Sequence, residues 1–372
     1  MRVLIILETL RIGGIERNAL DQAYLLSDRG DLGLILVFNQ NGTMSNANFI
    51  TNEKSMIVNK KMDIRFCNAG LISRIQVLFK ILVSERIDLV IDYTLVGNLL
   101  TRVARLFARK KVPIHCVVQQ LASLSAPAQR YKRMIYAQFA TRLFINTVNY
   151  GVDWVFYVNK NLITRFIFRK KFEIIRNGVY LPRIHISELS LQKNHLIETR
   201  FIFLGRLKAW KGFSKLKNID KASGNKANFL IITSEIDKPI VDELIDIFDG
   251  RIEFIFGKTL KEFTPMPGDI HVYPVDYGVD AIAIESVSTN CLEMALLGIP
   301  SMVTNRGAAN WPELTHSGLV QEIDWENSES ISNGIEKCKK INFEQINFEQ
   351  IKNSINIERN LEAHFSYLRN YP

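Results

Sequence analysis

The sequence is poor in cysteine, with four in 372 residues (Cys67, Cys116, Cys291 and Cys338), far apart and without a Cys-x-x-Cys pair. Neither a disulfide framework nor a zinc site is expected, and a reducing cytosol suits such a chain. Histidine is sparse too: His185, His195, His316 and His364 are scattered without metal-ligand spacing. His271, inside the apolar stretch Ile270–Tyr273, reads as a packed residue and not a catalytic one. No Asp-x-Asp triplet occurs, and Gly13-Gly14 near the start is not part of a G-x-G-x-x-G fingerprint, which argues against a dinucleotide oxidoreductase. Long apolar runs are missing. Val3–Leu7 is stopped by Glu8 and is too short for a signal core. The charge-free stretch Val112 to Gln129 contains Pro113 and Pro127 with several Gln and Ser, so any membrane attachment is expected to be peripheral.

What is present is an ordinary globular balance, 47% hydrophobic and 23% charged, which rules out a disordered chain. The length favours two domains. The net charge of +9 is uneven, with residues 1–180 at +14 and residues 181–372 at −5. One half therefore faces something anionic: a membrane surface, nucleic acid or a phosphorylated substrate. Nucleic acid is disfavoured, because the basic residues come without interleaved aromatics or a recognised binding module.

Alternation of short apolar runs with helical patterns predicts parallel sheets built from βαβ units. In the first half the strands are Val3–Leu7, Leu34–Phe38, Leu89–Asp92 and Ile114–Val118. The helices are Ile15–Asp28, Leu71–Glu85 and Gly97–Arg109. This domain closes near Ile174-Ile175, before the turn Arg176-Asn177-Gly178. A second series has strands at Phe201–Leu204, Phe229–Thr233, Ile252–Phe256, Ile270–Tyr273 and Ser301–Thr304. The expected boundaries are 1–180 for a basic first domain, 181–200 for a connector, 201–340 for a second domain and 341–372 for a helical segment that could return to the first domain. The expected class is α/β, two tandem doubly wound Rossmann-like domains facing a cleft, since such sheets bind ligands outside the carboxyl ends of their strands. The pentapeptide Ile341–Gln345 repeats at once as Ile346–Gln350, a short tandem duplication in a surface segment.

The most specific chemical signal is Glu285 and Glu293, followed by Gly298-Ile299-Pro300. If a helix spans Asn290–Leu297, Glu293 lies in its first turn and Glu285 in the loop before it, both at a helix N-terminus that favours an anion. The alternative is that Glu293 balances the helix dipole and Glu285 is solvated. Arg206 and Lys211-Gly212, just past a strand end, suit a diphosphate as a bidentate fork and a point charge; loop cations are also commonly just solvated. Gly13-Gly14 would let backbone N–H groups approach a phosphate or sugar, or is a plain turn.

Together, Gly13-Gly14-Ile15-Glu16-Arg17, Arg176-Asn177-Gly178-Val179, Gly205-Arg206 with Lys211-Gly212, and Glu285 to Glu293 with Gly298-Ile299-Pro300 resemble glycosyltransferase family 4, the retaining enzymes of GT-B fold. The resemblance spans nearly the whole chain. It implies transfer of a sugar from a nucleotide-sugar donor, UDP-sugar favoured over GDP-sugar, with no cofactor and no metal. By the resemblance, Arg206 and Lys211 hold the diphosphate, Glu285 the transferred sugar and Glu293 the ribose. Gly13, Gly14, Ser286, Ser288 and Thr289 complete the donor side. Two departures stand out. Ser286-Val287-Ser288 replaces the family's glycine-containing turn, and Gln119-Gln120 stands on the acceptor side where many relatives carry a histidine.

The implied acceptor is a glycan or lipid-linked glycan in bacterial surface polysaccharide assembly, and the implied location is cytoplasmic, on the inner face of the membrane. Competing readings are a sugar-nucleotide epimerase or hydrolase on the same scaffold, and a non-catalytic nucleotide-sugar-binding protein. Two basic segments bear on the membrane. Gly97–Lys111, between two strands, is expected to pack its apolar stripe on the sheet while its cations are solvated. Ala128–Tyr150, with Arg130, Lys132, Arg133 and Arg142, is expected to lie on anionic lipid.

Overall fold

A computed structural model gives the fold, and it describes residues 1–8, 10, 14–38, 62–67, 70–118, 154–157, 172–181, 198–205, 207, 211–233, 238–256, 263–275, 289–304 and 311–369. The chain divides into two units: one holds Met1–Tyr180 and the segment from Ile357, and the other holds most of Leu181–Asn356. The first contains β1 (Arg2–Leu7), α1 (Gly14–Asp28), β2 (Leu32–Val37), β3 (Met62–Phe66), α2 (Leu71–Ser84), β4 (Leu89–Asp92), α3 (Leu95–Ala108), β5 (Ile114–Val118), β6 (Trp154–Tyr157) and β7 (Phe172–Ile174). The second contains β8 (Arg200–Leu204), α4 (Leu216–Ala222), β9 (Asn228–Thr233), α5 (Lys238–Phe248), β10 (Ile252–Phe256), β11 (Asp269–Tyr273), α6 (Thr289–Leu296), β12 (Ser301–Thr304), α7 (Pro312–His316), β13 (Val320–Ile323), α8 (Ser328–Lys339) and α9 (Phe348–Ile355). The last helix, α10 (Ile357–Arg369), belongs to the first unit.

Both sheets are parallel throughout, in the orders β3-β2-β1-β4-β5-β6-β7 and β10-β9-β8-β11-β12-β13. Each is a Rossmann-like sheet. β1 is apolar on both faces because both are covered. Val3, Ile5 and Leu7 join Leu20, Ala23 and Tyr24 of α1 with Leu361 and Phe365 of α10. Leu4 and Ile6 pack with Leu78, Ile81 and Leu82 of α2 and with Leu100 and Ala104 of α3. In the second unit Phe201, Phe203, Phe229 and Phe248 dominate one face of the sheet.

Four strands escape the sequence reading: β3, β6, β7 and β13. β3 is an edge strand whose Asp63 and Arg65 pair with each other at 2.6 Å, so it lacks an apolar run. β13 is an edge of the other sheet, and of its central residues Gln321 is half-buried and Glu322 exposed. The duplicated pentapeptide makes two capped turns. Asn342 accepts from the Glu344 N–H and starts a 3-10 turn, and Asn347 accepts from the Gln350 N–H and starts α9.

α10 is fastened to the first unit by several bonds. The Ile357 N–H donates to the Val179 carbonyl at 3.0 Å, and Arg29 reaches Glu358 and Glu362 at 2.5 and 2.6 Å. Deeper in, the Nδ1 atoms of His115 on β5 and His364 on α10 lie 3.1 Å apart, the rings stacked and both buried. Burial lowers the His115 pKa to about 3, and it lowers His364 as well, with His115 adding to the effect. His271, whose Nδ1 lies 2.9 Å from the Ser301 hydroxyl, is likewise brought down to about 3 by burial.

These rings are neutral in the folded chain, whereas unfolding returns them to pKa ~6.5. The unfolded state therefore takes up protons first, and stability is complete above about pH 6.5 and is lost as pH falls towards about 3, by ~1.4 kcal/mol per pH unit for each of His115 and His271 within that window, with His364 acting in the same direction. Urea denaturation at about pH 7 and about pH 5 measures this slope. His271→Gln should flatten it for the second unit, and an unchanged slope would contradict the assignment.

Candidate functional site

In the second sheet the chain winds from β8 outward to β10, then crosses back to β11 and winds the other way. The carboxyl ends of β8 and β11 therefore diverge, the place where doubly wound sheets bind ligands. Three pieces of chain are tied together there. The Asn290 side-chain amide, in the first turn of α6, donates to the Leu204 carbonyl at the end of β8 at 2.9 Å. The Lys211 ammonium donates to the Tyr273 hydroxyl at the end of β11 at 2.7 Å and stands 4.8 Å from the centre of that ring. Gly212 adopts φ +72, and a Cβ there would fall 1.8 Å from the Pro274 carbonyl oxygen. Only glycine fits this approach. Behind it, Trp325 donates to the Thr304 hydroxyl at 3.1 Å, and that hydroxyl donates to the Val275 carbonyl at 2.9 Å. The stretch Tyr273–Val275 is thus held from two sides.

α6 is buried along nearly its whole length, with Leu292, Met294 and Leu296 inside. It ends at Gly298, φ +71, where the Gly298 N–H bonds to Ala295 and the Ile299 N–H to Met294, a left-handed cap that turns the chain into β12. The helix begins one residue earlier than the sequence suggests. Glu293 is consequently its fifth residue, buried, and outside the first turn, which holds no acid. Thr289 is the buried first residue.

The first sheet reverses in the same way, between β1 and β4. Asn18 on α1 donates to the side chain of Asn177 at 3.2 Å, and the Tyr93 hydroxyl lies 3.5 Å from Asn18. This links the residue after β4 to the Arg176-Asn177-Gly178 turn. Asp92, the last residue of β4, is buried and accepts from the Thr94 N–H, the Thr94 hydroxyl and the Thr101 hydroxyl at 2.8, 2.8 and 3.1 Å. Burial raises its pKa to about 7 against those hydrogen bonds and the nearby Arg102. Buried Cys116 and Cys338 are pushed up to about 12, which makes them inert as nucleophiles.

Of the residues singled out from sequence, Lys211, Thr289 and Glu293 lie in the second unit, with Lys211 and the start of α6 at its switch point, while Gly14 opens α1 in the first. Gly13, Gln119, Gln120, Arg206, Glu285, Ser286 and Ser288 lie outside the described residues, as does Ala128–Tyr150. Tyr273 and Asn18 were missed. Tyr273 carries a usable signal, an aromatic ending a strand directly before proline, whereas Asn18 has none because its partner lies 159 positions away. Among the described residues no group of three His, Cys, Asp or Glu is placed to hold a metal ion.

No protein-family model matches the sequence, and neither does any curated protein. Solved structures do match the fold over essentially their full length. Alr3699/HepE from Anabaena, in complex with UDP and glucose, superposes with a TM-score of 0.72 at 15% identity, covering 100% of both chains. The sucrose-phosphate synthase of Thermosynechococcus elongatus gives 0.73 at 10% identity over 99% of each chain. A glycosyltransferase from Rickettsia africae gives 0.69 at 13% identity, covering 100% of this chain and 99% of that one. The fold is therefore the two-domain Rossmann-like arrangement of GT-B type, and its structural neighbours are glycosyltransferases.

Replacing Gly212 tests how tightly the loop is held. Gly212→Ala places a Cβ against a backbone carbonyl at a left-handed φ, and it should destabilise the second unit by roughly 2 kcal/mol or more. A denaturation midpoint equal to that of the parent chain would show that the loop is not pinned on Pro274.

Proposed function

We propose that the chain is a metal-independent, retaining glycosyltransferase of the family 4 kind that moves a sugar from a nucleotide-sugar donor to a glycan or lipid-linked glycan. The observation that carries this reading is Lys211 held at the carboxyl end of β11, with the N-terminal end of α6 tied to the carboxyl end of the neighbouring β8. A cation and a helix N-terminus converging outside parallel strands suit a diphosphate. UDP, and UDP with glucose, are what HepE is seen with, and they support a UDP-sugar over a GDP-sugar here.

In this proposal the second unit is the donor side and the first the acceptor side. As the donor's C–O bond breaks, negative charge builds on the departing diphosphate and positive charge on the sugar ring. Lys211 and Arg206, with the α6 N-terminus, stabilise the leaving group, the kind of electrostatic contribution that usually dominates catalysis. Ser286, Ser288 and Thr289 add hydroxyl donors towards it, and Gly13 and Gly14 are assigned to donor binding by the same family likeness. Glu285 fixes the sugar, and Glu293 holds the ribose. The acceptor hydroxyl attacks on the leaving-group face, beside Gln119 and Gln120, and passes its proton to the phosphate. Work at the cytoplasmic face of a membrane, in surface polysaccharide assembly, follows from the lipid-linked acceptor. No helix among the described residues is long and apolar enough to cross a membrane.

Release of UDP or GDP from a panel of nucleotide sugars, with and without acceptor, tests the reading. Lys211→Ala should lower turnover about 30- to 1000-fold, the loss of one charge-assisted contact worth roughly 2–4 kcal/mol. Glu285→Gln should abolish most turnover with donor binding retained, whereas Glu293→Ala should weaken UDP affinity. Near-normal turnover by a folded Arg206→Ala/Lys211→Ala variant would overturn the site. Donor breakdown or epimerisation that needs no acceptor would favour the epimerase or hydrolase, and UDP binding without turnover a non-catalytic binder.

A further inference from the structure

We propose that the outer face of α2 and α3 docks the first unit on an anionic lipid surface. Seven of the ten large apolar side chains exposed among the described residues lie on β3, α2 and α3. Ile72 is 74% exposed and Phe107 68%. On α2, Ile72, Phe79 and Val83 recur at helical spacing as an outward stripe, while Leu78, Ile81 and Leu82 pack beneath the sheet. α3 lies alongside, with Leu100 and Ala104 turned inward and Leu106 and Phe107 turned out. Each helix has therefore already spent its inner face on the core and still presents an apolar outer one. Such a concentration on one side of a molecule marks an interaction surface.

The charge around it selects the occupant. Neither helix carries an acidic residue, and none occurs between Asp92 and Asp153. Lys80, Arg86, Arg109, Lys110 and Lys111 are exposed and have no carboxylate partner among the described residues. The neighbouring acids are taken: Glu85 pairs with Arg65 at 3.0 Å and Arg2 at 3.6 Å, and Asp88 accepts from the Arg2 N–H at 2.7 Å. Arg102 and Arg105 do not contribute, since both are buried. An apolar stripe flanked by unpaired cations fits the boundary between acyl chains and anionic headgroups. A second copy of the same face would set these cations against one another. Each cation near an anionic surface contributes about 1 kcal/mol, so the five together give reversible attachment that weakens with salt.

This deepens the membrane part of the proposed function and rests on it, yet lipid binding is measured without sugar transfer, so either can fail alone. Flotation of the full chain with phosphatidylcholine vesicles, with and without phosphatidylglycerol, is the test. The parent chain should float with the anionic vesicles only, and less as salt rises. Lys110→Glu/Lys111→Glu should weaken partitioning about 30-fold or more, two contributions of ~1 kcal/mol each. Ile72→Ser/Phe107→Ser should also lower it, with circular dichroism and UDP release unchanged, since all four side chains are exposed. The proposal is overturned by equal binding to neutral and anionic vesicles, or by binding to neither. It is also overturned if only Arg130, Lys132 and Arg133 matter, or if a self-associated form is dispersed by the same variants.

Discussion

Parallel strands cannot be joined by a tight turn, so each must hand the chain to a crossover before the next strand begins. All the strand-to-helix connections of such a sheet leave from one edge, and where the winding reverses two of them part. In both units the reversal falls beside the first strand, between β1 and β4 and between β8 and β11. Polar side chains gather at both openings. Lys211, Tyr273 and the start of α6 stand at one, and Asn18, Tyr93 and Asn177 at the other. The positions follow from topology, whereas the chemistry follows from which residues the connections carry.

The opening at β8 and β11 is rigid because the two strands are fixed at both ends. At their amino ends the Arg200 guanidinium makes a two-pronged pair with buried Asp269, both bonds 2.9 Å, and Asp269 also accepts from the Met266 N–H. These two residues are partners in the parallel register, so the pair locks the alignment. At the carboxyl ends Asn290 grips Leu204 and Gly212 rests on Pro274. A buried ion pair adds little net stability against an apolar alternative, but it penalises a shifted register in which one charge would be left alone. A loop leaving such a frame presents its lysine in one place.

Most of the central strands were legible as short apolar runs, since strands buried on both faces need no alternation. Leu89–Asp92, Ile114–Val118 and Ser301–Thr304 fall where the sequence places them. The edge strands β3 and β13 were not, because they trade apolar residues for charged or amide ones where one flank meets water, whereas the edge strand β10 keeps its apolar run and was legible. At the site, Lys211-Gly212 was legible as a cation after a strand, and the reason for the glycine was not. That reason is the Pro274 carbonyl, 62 positions on, and no local pattern encodes it. The pentapeptide repeat makes the same point, since one identical copy becomes a 3-10 turn and the other runs on into a longer helix.

α3 shows how a single buried group overrides a helical pattern. Its sequence places apolar residues on one side and arginines on another, and the simple expectation turns the apolar side to the sheet. The structure instead sinks Arg102 and Arg105 completely and leaves Leu106 and Phe107 in water. Asp92 accounts for the choice. It ends a central strand, is fully enclosed, and needs both hydrogen-bond donors and a counter-charge to remain ionised near neutrality. Thr101 and Arg102, in the second turn of α3, supply them, while the Arg105 guanidinium donates to the Val112 carbonyl at 2.9 Å and ties the helix to the approach of β5. With that side committed inward, the rotation of α3 is set, and the residues one step beyond must face outward whatever their hydropathy. The exposed apolar corner on this unit is thus a consequence of satisfying one interior carboxylate.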